Sequence, residues 1–570
     1  MMRESTPRIH FVTIILISFA LILIGRLFFI QIVQGSSYKK RADKQYVVPT
    51  TDSFNRGTIF LSERNNKLIG AASLKSGYTI IINPKKIDNP DIVYSKISKI
   101  IDIQKDVFYE KAGKKNDFYE EIADKVSKDN ADRIIDLALS GVSVKKTKWR
   151  FYPGGRTASH VLGLVAYRGD DLLGRYGLEH YYEDVLARNS EDLYVNFFAE
   201  IFSNIAESVV KTKSVKEGDI VTTIEPYVQT QLEKTLSEIK EKWSTSSVGG
   251  IIIDPRDGAV YAMASKPDFN PNDFSSEKSV SVFSNPLVEN VYEMGSIVKP
   301  LVMAAAIDMD AVTANTTYED MGYVNVDGAH IENYDGKARG KVSMQEVLNQ
   351  SLNTGMVFVM RKMGKESFRD YMLAYGIGEE TGIDLPGEVP GMVGNLSSSR
   401  DVEYATASFG QGIAMTPIGI ARSLASLANG GILKTPYIVK KIMYKGGLDK
   451  KTYPDEGKRV LKKESSDEIT RMLVEVVDTS LSNGSVALPH YSIAAKTGTA
   501  QIADTENGGY YKDRYLHSFF GYFPAYNPQF LIFLYNLDPK GARYASQTLT
   551  YPFMDLVKFL INYYEIEPDR

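Results

Sequence analysis

Three short groupings carry side chains able to make and break bonds. Ser296-Ile297-Val298-Lys299 sets a hydroxyl and an amine three positions apart. On a helix these share one face, so the amine can serve the hydroxyl as base without a histidine. The spacing alone means little, since it also begins at Ser36, Ser37, Ser143, Ser208, Ser237 and Ser275, where a helix cap and a surface lysine explain it. The context of Ser296 is different. Glu293-Met294-Gly295 reads as a turn into a helix, Pro300 is tolerated in a first turn, and Leu301-Val302-Met303-Ala304-Ala305-Ala306 follows. A segment that apolar is buried nearly all round, which would strip Lys299 of water and push it toward the neutral amine.

The second grouping, Ser351-Leu352-Asn353, falls in a loop between expected helices at 342–348 and 356–363. Ser and Asn also favour helix starts, and Ser53-Phe54-Asn55 repeats the pattern. The third, Lys496-Thr497-Gly498 with Thr499, lies in a β-prone run at 492–502. Gly498 removes a side chain where another backbone can approach, and a strand edge offers unpaired N–H and C=O groups to an extended peptide. A plain edge strand protected by a lysine is the competing explanation. An ideal pleat puts Lys496 and Thr497 on opposite faces, so both serve one site only on a twisted or edge strand.

Composition removes other chemistries. The 570 residues include no cysteine, which excludes disulfides, thiolate metal sites and cysteine nucleophiles. The six histidines form no H-x-x-x-H pair, which argues against a histidine metal site. With 67 Lys+Arg against 70 Asp+Glu the net charge is −3, giving no general attraction to nucleic acid. Hydrophobic residues at 43 % and charged residues at 24 % are the mix of a folded globular chain.

The amino terminus reads as a membrane anchor. Residues 9–33 are almost wholly apolar apart from His10, Thr13, Ser18, the Gly25-Arg26 pair and Gln31, and exceed the roughly 20 residues that cross a bilayer. Gln34-Gly35-Ser36-Ser37 makes a poor signal-peptide cleavage site after so long a run. Arg3 and Arg8 precede the span, while Lys39, Lys40 and Arg41 follow it, so charge leaves the orientation undecided.

The expected domains are a short tail at 1–8, the anchor at 9–33, a charged, Tyr-rich module at 36–235, and a larger domain at 240–570. The module contains the β-prone Tyr78-Thr79-Ile80-Ile81-Ile82 and a charged helix-prone stretch at 102–139. A helix is expected at 228–242 behind Pro226, then a buried strand at 250–254 whose hairpin partner, 259–264, follows a turn at Asp257-Gly258. Helices at 301–309, 342–348, 356–363 and 418–428 precede strands at 492–502, 518–523 and 530–537. Strands at both ends with helices between give an α+β domain whose sheet is closed by distant parts of the chain.

Taken in order, S-x-x-K, S-x-N and K-T-G are the signature of penicillin-recognising serine enzymes, and the chain resembles a class B (monofunctional) penicillin-binding protein. The likeness spans nearly the whole length. Arg56-Gly57-Thr58-Ile59, Arg150-Phe151-Tyr152-Pro153 with Ala158 to Gly163, Gly177-Leu178-Glu179, Gly410-Gln411-Gly412 and Lys496-Thr497-Gly498-Thr499-Ala500-Gln501 match family segments. Glu63-Arg64-Asn65-Asn66 stands displaced and altered from the usual D-R-N-G, Met294 replaces a common Pro, and Ala495 replaces a common Gly.

The resemblance implies a penicillin-binding transpeptidase fold, an antiparallel sheet flanked by helices plus an all-helical lobe, behind an elongated mixed α/β pedestal and one transmembrane helix. It implies D,D-transpeptidation of peptidoglycan stem peptides ending in D-Ala-D-Ala. Ser296 would be the nucleophile, Lys299 its base and Ser351 a proton relay, while Asn353 would bond substrate backbone. Lys496, Thr497 and Thr499 would hold the terminal carboxylate, with Gly498 keeping the strand open. Backbone N–H groups of Ser296 and Thr499 would form the oxyanion hole. No cofactor or metal is implied. Implied partners are stem peptides, β-lactam antibiotics, a SEDS-family glycosyltransferase and other divisome membrane proteins. The catalytic domain would lie outside the cytoplasmic membrane with the amino terminus inside. The run from Gly508 to Pro539 looks more like the division type than the elongation type. A β-lactamase, a β-lactam sensor, a D,D-carboxypeptidase and a non-catalytic division scaffold are the competing readings.

Overall fold

The computed structural model describes residues 54–188 and 217–570, apart from Asp170, Gly446, Leu448 and Thr505, together with Phe19. The expected anchor at 9–33 lies outside the described residues, among which no helix is long and apolar enough to cross a membrane. The chain divides into two compact units, Met1–Phe54 with Ser76–Lys148, and Asn55–Lys75 with Trp149–Arg570.

In the first unit the strand residues Tyr78 to Ile82 pair antiparallel with Glu120–Val126. Helices Pro90–Ile97, Lys105–Gly113 and Lys128–Asp136 close over Ile80, Ile82, Phe108 and Ile134. The stretch 102–139 is thus not helical throughout. A strand interrupts it because Glu120–Val126 can pair with Ile80 and its neighbours, a tertiary gain that local helix propensity does not weigh.

The second unit carries a five-stranded antiparallel sheet between helices. Helix α1 is Pro226–Trp243, with Pro226 in the first turn and Glu225 capping Val228 N. Strands β1, Ser247–Ile253, and β2, Val260–Lys266, form the hairpin. Gly258, at φ +86°, makes the turn between them; a Cβ there would stand 2.5 Å from the Thr435 carbonyl oxygen. Four helices of the opposite layer are α2, Lys299–Asp308; α3, Met344–Asn349; α4, Asn353–Met363; and α5, Pro417–Ala428. Then come α6, Lys463–Glu475; β3, Ala494–Ala503; β4, Tyr510–Phe523; β5, Phe530–Leu537; and α7, Ala545–Tyr564. The sheet order is β3-β4-β5-β1-β2, so segments more than two hundred residues apart close it.

Both faces of the sheet are covered, which is why Ile251, Ile252 and Ile253 are all buried although successive side chains point opposite ways. Ile252 joins Leu232 and Leu236 of α1 and Leu549 and Phe553 of α7. Ile251 and Ile253 join the core that holds α2, α4 and α5. Within α2 every residue from Leu301 to Ala306 is fully buried, so this helix is hydrophobic all round and lies fixed in the interior. The terminal helix α7 has no forecast in the sequence reading; Pro552 inside it hides the helical signal.

One further feature explains three of the family-like segments. Arg56, Arg150 and Glu179 meet in a buried charge cluster within the second unit. Arg56 Nε lies 2.5 Å from Glu179 Oε2, Arg150 Nε 2.6 Å from Glu179 Oε1, and Arg56 also pairs with Glu183 at 2.7 Å. Tyr152 donates its hydroxyl to Glu179 at 3.2 Å, and Arg150 donates to the Gly57 carbonyl at 2.7 Å. Burial opposes the Arg56 charge, but Glu179 and Glu183 outweigh it and its pKa is raised.

Candidate active site

Ser296 sits in a 3-10 turn, Gly295–Val298, that runs directly into α2. The turn is gripped from two sides. Gly295, at φ +63°, has no Cβ because one would stand 2.8 Å from the Thr499 carbonyl oxygen, and its N–H donates to the Gly410 carbonyl at 3.0 Å. Glu293 Oε1 accepts from Gly412 N at 2.9 Å and from the Tyr510 hydroxyl at 3.0 Å, tying Gly410-Gln411-Gly412 to the Ser296 segment. Ser518 donates to the Met294 carbonyl at 2.7 Å. The oxygen at position 296 is therefore placed by backbone held on both flanks.

Lys299, the first residue of α2, is fully buried. Its Nζ donates to the Ser351 carbonyl at 2.7 Å and to Asn353 Oδ1 at 2.8 Å, and lies 3.3 Å from Ser351 Oγ. Three oxygens, all from Ser351 and Asn353, thus stand within 3.3 Å of this nitrogen. No carboxylate accompanies it. Burial first, then the positive Lys496, hold its pKa well below the ordinary lysine range. Lys496 Nζ donates to Ser351 Oγ at 3.0 Å and to the Thr497 carbonyl at 3.1 Å. Burial lowers its pKa to about 7. One hydroxyl, that of Ser351, thus lies between two buried amines.

Ser351 follows α3 with φ +55°, a left-handed conformation that glycine would adopt more cheaply. A non-glycine residue there costs on the order of 1–2 kcal/mol, retained because the turn aims both its carbonyl and its hydroxyl at Lys299. Asn353 opens α4 and donates Nδ2 to the Glu332 carbonyl at 2.9 Å. Behind it the fully buried Asp320 accepts from Thr354 Oγ1 at 2.8 Å and from Asn333 Nδ2 at 3.0 Å, while Thr354 N donates to Asn333 Oδ1 at 3.2 Å. This support was invisible in the sequence, because Asp320, Asn333 and Thr354 are far apart along the chain. Glu293 had a local signal, three residues before the serine.

Strand β3 forms one edge of the sheet. Thr497, Thr499 and Gln501 alternate along it and line a cleft of about 1210 Å³ together with Ser296, Ser351, Asn353 and Lys496. Lys496 starts on the opposite face of the pleat, and its long stem brings Nζ back to the cleft, which resolves the difficulty of adjacent residues serving one site. The Thr499 hydroxyl accepts from Ala545 N at 3.0 Å, so this side chain also caps the start of α7. Gly498 lies where another stretch of backbone approaches the strand. A Cβ there would meet Ser518 Oγ at 2.3 Å and the Met294 carbonyl oxygen at 2.7 Å. Its missing side chain makes room for the turn before Ser296. Ala495 is accommodated because Gly521 stands opposite it in the register; a Cβ on Gly521 would lie 2.8 Å from the alanine methyl. Among the described residues no group of three or more His, Asp or Glu converges where a metal could sit.

Comparison with known proteins identifies the family. A family model described as the penicillin binding protein transpeptidase domain matches residues 248–556, and one described as the penicillin-binding protein dimerisation domain matches residues 51–244. Stage V sporulation protein D of Bacillus subtilis is 30 % identical over 561 residues, covering 96 % of this chain and 84 % of its own length. The peptidoglycan D,D-transpeptidase FtsI of Escherichia coli K12 is 26 % identical over 449 residues, 79 % of this chain and 73 % of its own. Among solved structures, penicillin binding protein 3 of Mycobacterium tuberculosis in complex with aztreonam shares the fold at a TM-score of 0.69 and 21 % identity, over 91 % of this chain and 98 % of that one. Penicillin binding protein 2X of Streptococcus thermophilus gives a TM-score of 0.72 at 20 % identity, over 90 % of this chain and 81 % of that one.

The fold and site define a penicillin-recognising serine transpeptidase. With its amino-terminal dimerisation domain, the chain belongs to the class B penicillin-binding proteins.

Proposed function

We propose that this protein cross-links peptidoglycan stem peptides as a division-type D,D-transpeptidase, with Ser296 as the acylated residue. The observation that carries the reading is the bonded chain Asn353–Lys299–Ser351–Lys496, every link 3.3 Å or shorter, on a cleft that also exposes Ser296, Thr497 and Thr499. Lys299, neutral because it is buried without a counter-ion, takes the Ser296 proton as the oxygen attacks the penultimate D-Ala carbonyl. The Ser351 hydroxyl passes a proton to the departing D-Ala amine and is recharged through the two lysines. Lys496, Thr497 and Thr499 hold the terminal carboxylate by charge-assisted bonds, and Asn353 bonds the donor backbone. Backbone N–H groups of Ser296 and Thr499 receive the developing oxyanion; losing one such donor typically raises a barrier by roughly 3 kcal/mol. An amine of a second stem peptide then attacks the ester and frees Ser296.

The apolar run 9–33 anchors the chain in the cytoplasmic membrane, with residues 1–8 inside and everything after about residue 35 outside, where the substrate is. Residues 36–235 serve as a non-catalytic pedestal and interaction module, 240–570 as the transpeptidase domain. A SEDS-family glycosyltransferase and other divisome membrane proteins supply glycan strands and context. β-Lactams acylate Ser296, as the aztreonam complex of the mycobacterial relative leads one to expect. The division role rests on the likeness of residues 508–539 and on the FtsI relative.

Labelling with a fluorescent penicillin tests the assignment. Wild type is expected to label and Ser296→Ala to lose the label completely. Label retained by the variant would place the nucleophile elsewhere, and release of D-Ala without cross-linked dimer would make the enzyme a carboxypeptidase.

A further inference from the structure

The wall of the cleft facing β3 carries a polar pair that the proposed chemistry does not use. Strands Tyr323–Val326 and Ala329–Glu332 form an antiparallel hairpin in which Tyr323 pairs with Glu332 and Asn325 with His330. The pleat sends Val326 and Ile331 inward, and both are buried. Tyr323, Asn325, His330 and Glu332 stand on the other face. His330 Nδ1 is 2.8 Å from Asn325 Oδ1, and its Nε2 is 3.1 Å from Glu332 Oε1. The ring centroids of His330 and Tyr323 are 4.9 Å apart. His330 and Glu332 both line the cleft that holds Ser296.

Two facts give this pair a ligand-facing character. First, the Glu332 carbonyl accepts from Asn353 Nδ2 at 2.9 Å, so the side chain assigned to the donor backbone rests on the main chain of the residue that carries the carboxylate. Secondly, the Glu332 side chain is 58 % exposed and, among the described residues, His330 is its only ion-pair partner. The imidazole contact through Nε2 orients the Glu332 carboxylate and leaves most of it open to the cleft.

The substrate provides a cation in the right place. The amine that resolves the acyl-enzyme belongs to a stem peptide, and the donor is another copy of that peptide. The donor therefore carries the same amine on a residue upstream of D-Ala-D-Ala, the part of the chain that passes Asn353. We propose that Glu332, oriented by His330, binds the side-chain ammonium of the donor stem peptide and makes the enzyme selective for donors whose amine is free. The inference rests on the assignment of Ser296 and Asn353 above and adds a specificity determinant to that site.

The test uses full-length protein and competition against fluorescent-penicillin labelling, which needs no acceptor. The competing probes are N-acyl-L-Lys-D-Ala-D-Ala with a free ε-amine and its Nε-acetyl form. Wild type is expected to be protected about fivefold better by the free-amine peptide. Glu332→Gln should bring the two peptides together while labelling in their absence stays within twofold of wild type, and His330→Gln should narrow the gap by a smaller factor. The proposal is overturned by a preference that survives in Glu332→Gln, or by a wild type indifferent to acetylation. It is equally overturned if Glu332→Gln slows labelling itself in step with both peptides, since Glu332 would then only be propping Asn353. A wild type that takes no label at all would instead sink the reading of Ser296.

Discussion

Two clusters of buried charge lie in the same compact unit and have opposite consequences. Around Glu179, two guanidiniums meet a carboxylate at 2.5 and 2.6 Å, with a second carboxylate on Arg56 at 2.7 Å. Around Ser351, two ammonium-type groups are buried with neutral oxygens only, at 2.7–3.3 Å. Desolvation acts on both, but in the first cluster opposite charge outweighs it and Arg56 stays charged more firmly than in water. In the second nothing offsets it, and both lysines are pushed toward the neutral amine. Whether a buried cation becomes a strut or a base depends on whether a carboxylate was folded in with it. The first arrangement fixes segments far apart in the chain; the second leaves two buried amines without a counter-ion around the Ser351 hydroxyl.

Substitutions that exchange the two situations measure the contrast. The largest effect is expected for Lys299→Met, which keeps the buried stem and removes the amine. Acylation by penicillin should fall on the order of a thousandfold or more, about 4 kcal/mol of barrier. Thermal stability should move by no more than about 1–2 kcal/mol, because lost bonds to Ser351 and Asn353 are offset by relief of a desolvated amine. Severe unfolding of this variant would mean the lysine is a strut after all.

Glu179→Gln makes the converse change. It leaves two guanidiniums buried around a neutral amide and is expected to destabilise by roughly 3–5 kcal/mol. Denaturant melts would show this, while the acylation rate of the molecules still folded at low temperature stays near wild type. An unchanged melt with lost acylation would erase the distinction between the clusters.

The smallest effect is expected for Ser351→Gly, at the point where backbone strain and buried amines coincide. Relief of the left-handed conformation should raise stability by about 0.5–1 kcal/mol, while loss of the shared hydroxyl slows acylation on the order of a hundredfold. A variant both less stable and fully active would show that the hydroxyl holds the loop instead of moving protons.

Much of the catalytic unit was legible in the residue pattern. The hairpin β1–β2, helices α1, α2, α4 and α5, and strands β3 to β5 follow from periodicity, Pro and Gly placement and continuous apolar runs. Helix α7 was missed where Pro552 interrupts its pattern, and the strand Glu120–Val126 was read as helix because its partner lies some forty residues away. Gly498 was legible as a place where another backbone comes close, but nothing local reveals that the backbone is that of Met294, within 3 Å of a would-be Cβ.

By itself the order of residues determined which side chains were available: a serine and lysine on one helical turn, a serine and asparagine at a helix start, a lysine and threonines on a strand, and no thiol. Hydrophobic periodicity and spacing are local properties, and the sequence states them directly. Tertiary structure alone decided which of those charges met an opposite charge and which did not. That outcome depends on contacts between Arg56 and Glu179, or Lys299 and Ser351, across stretches of chain that carry no local trace of each other. Energies of buried charge are set by what stands within a few ångströms, and only folding fixes that distance.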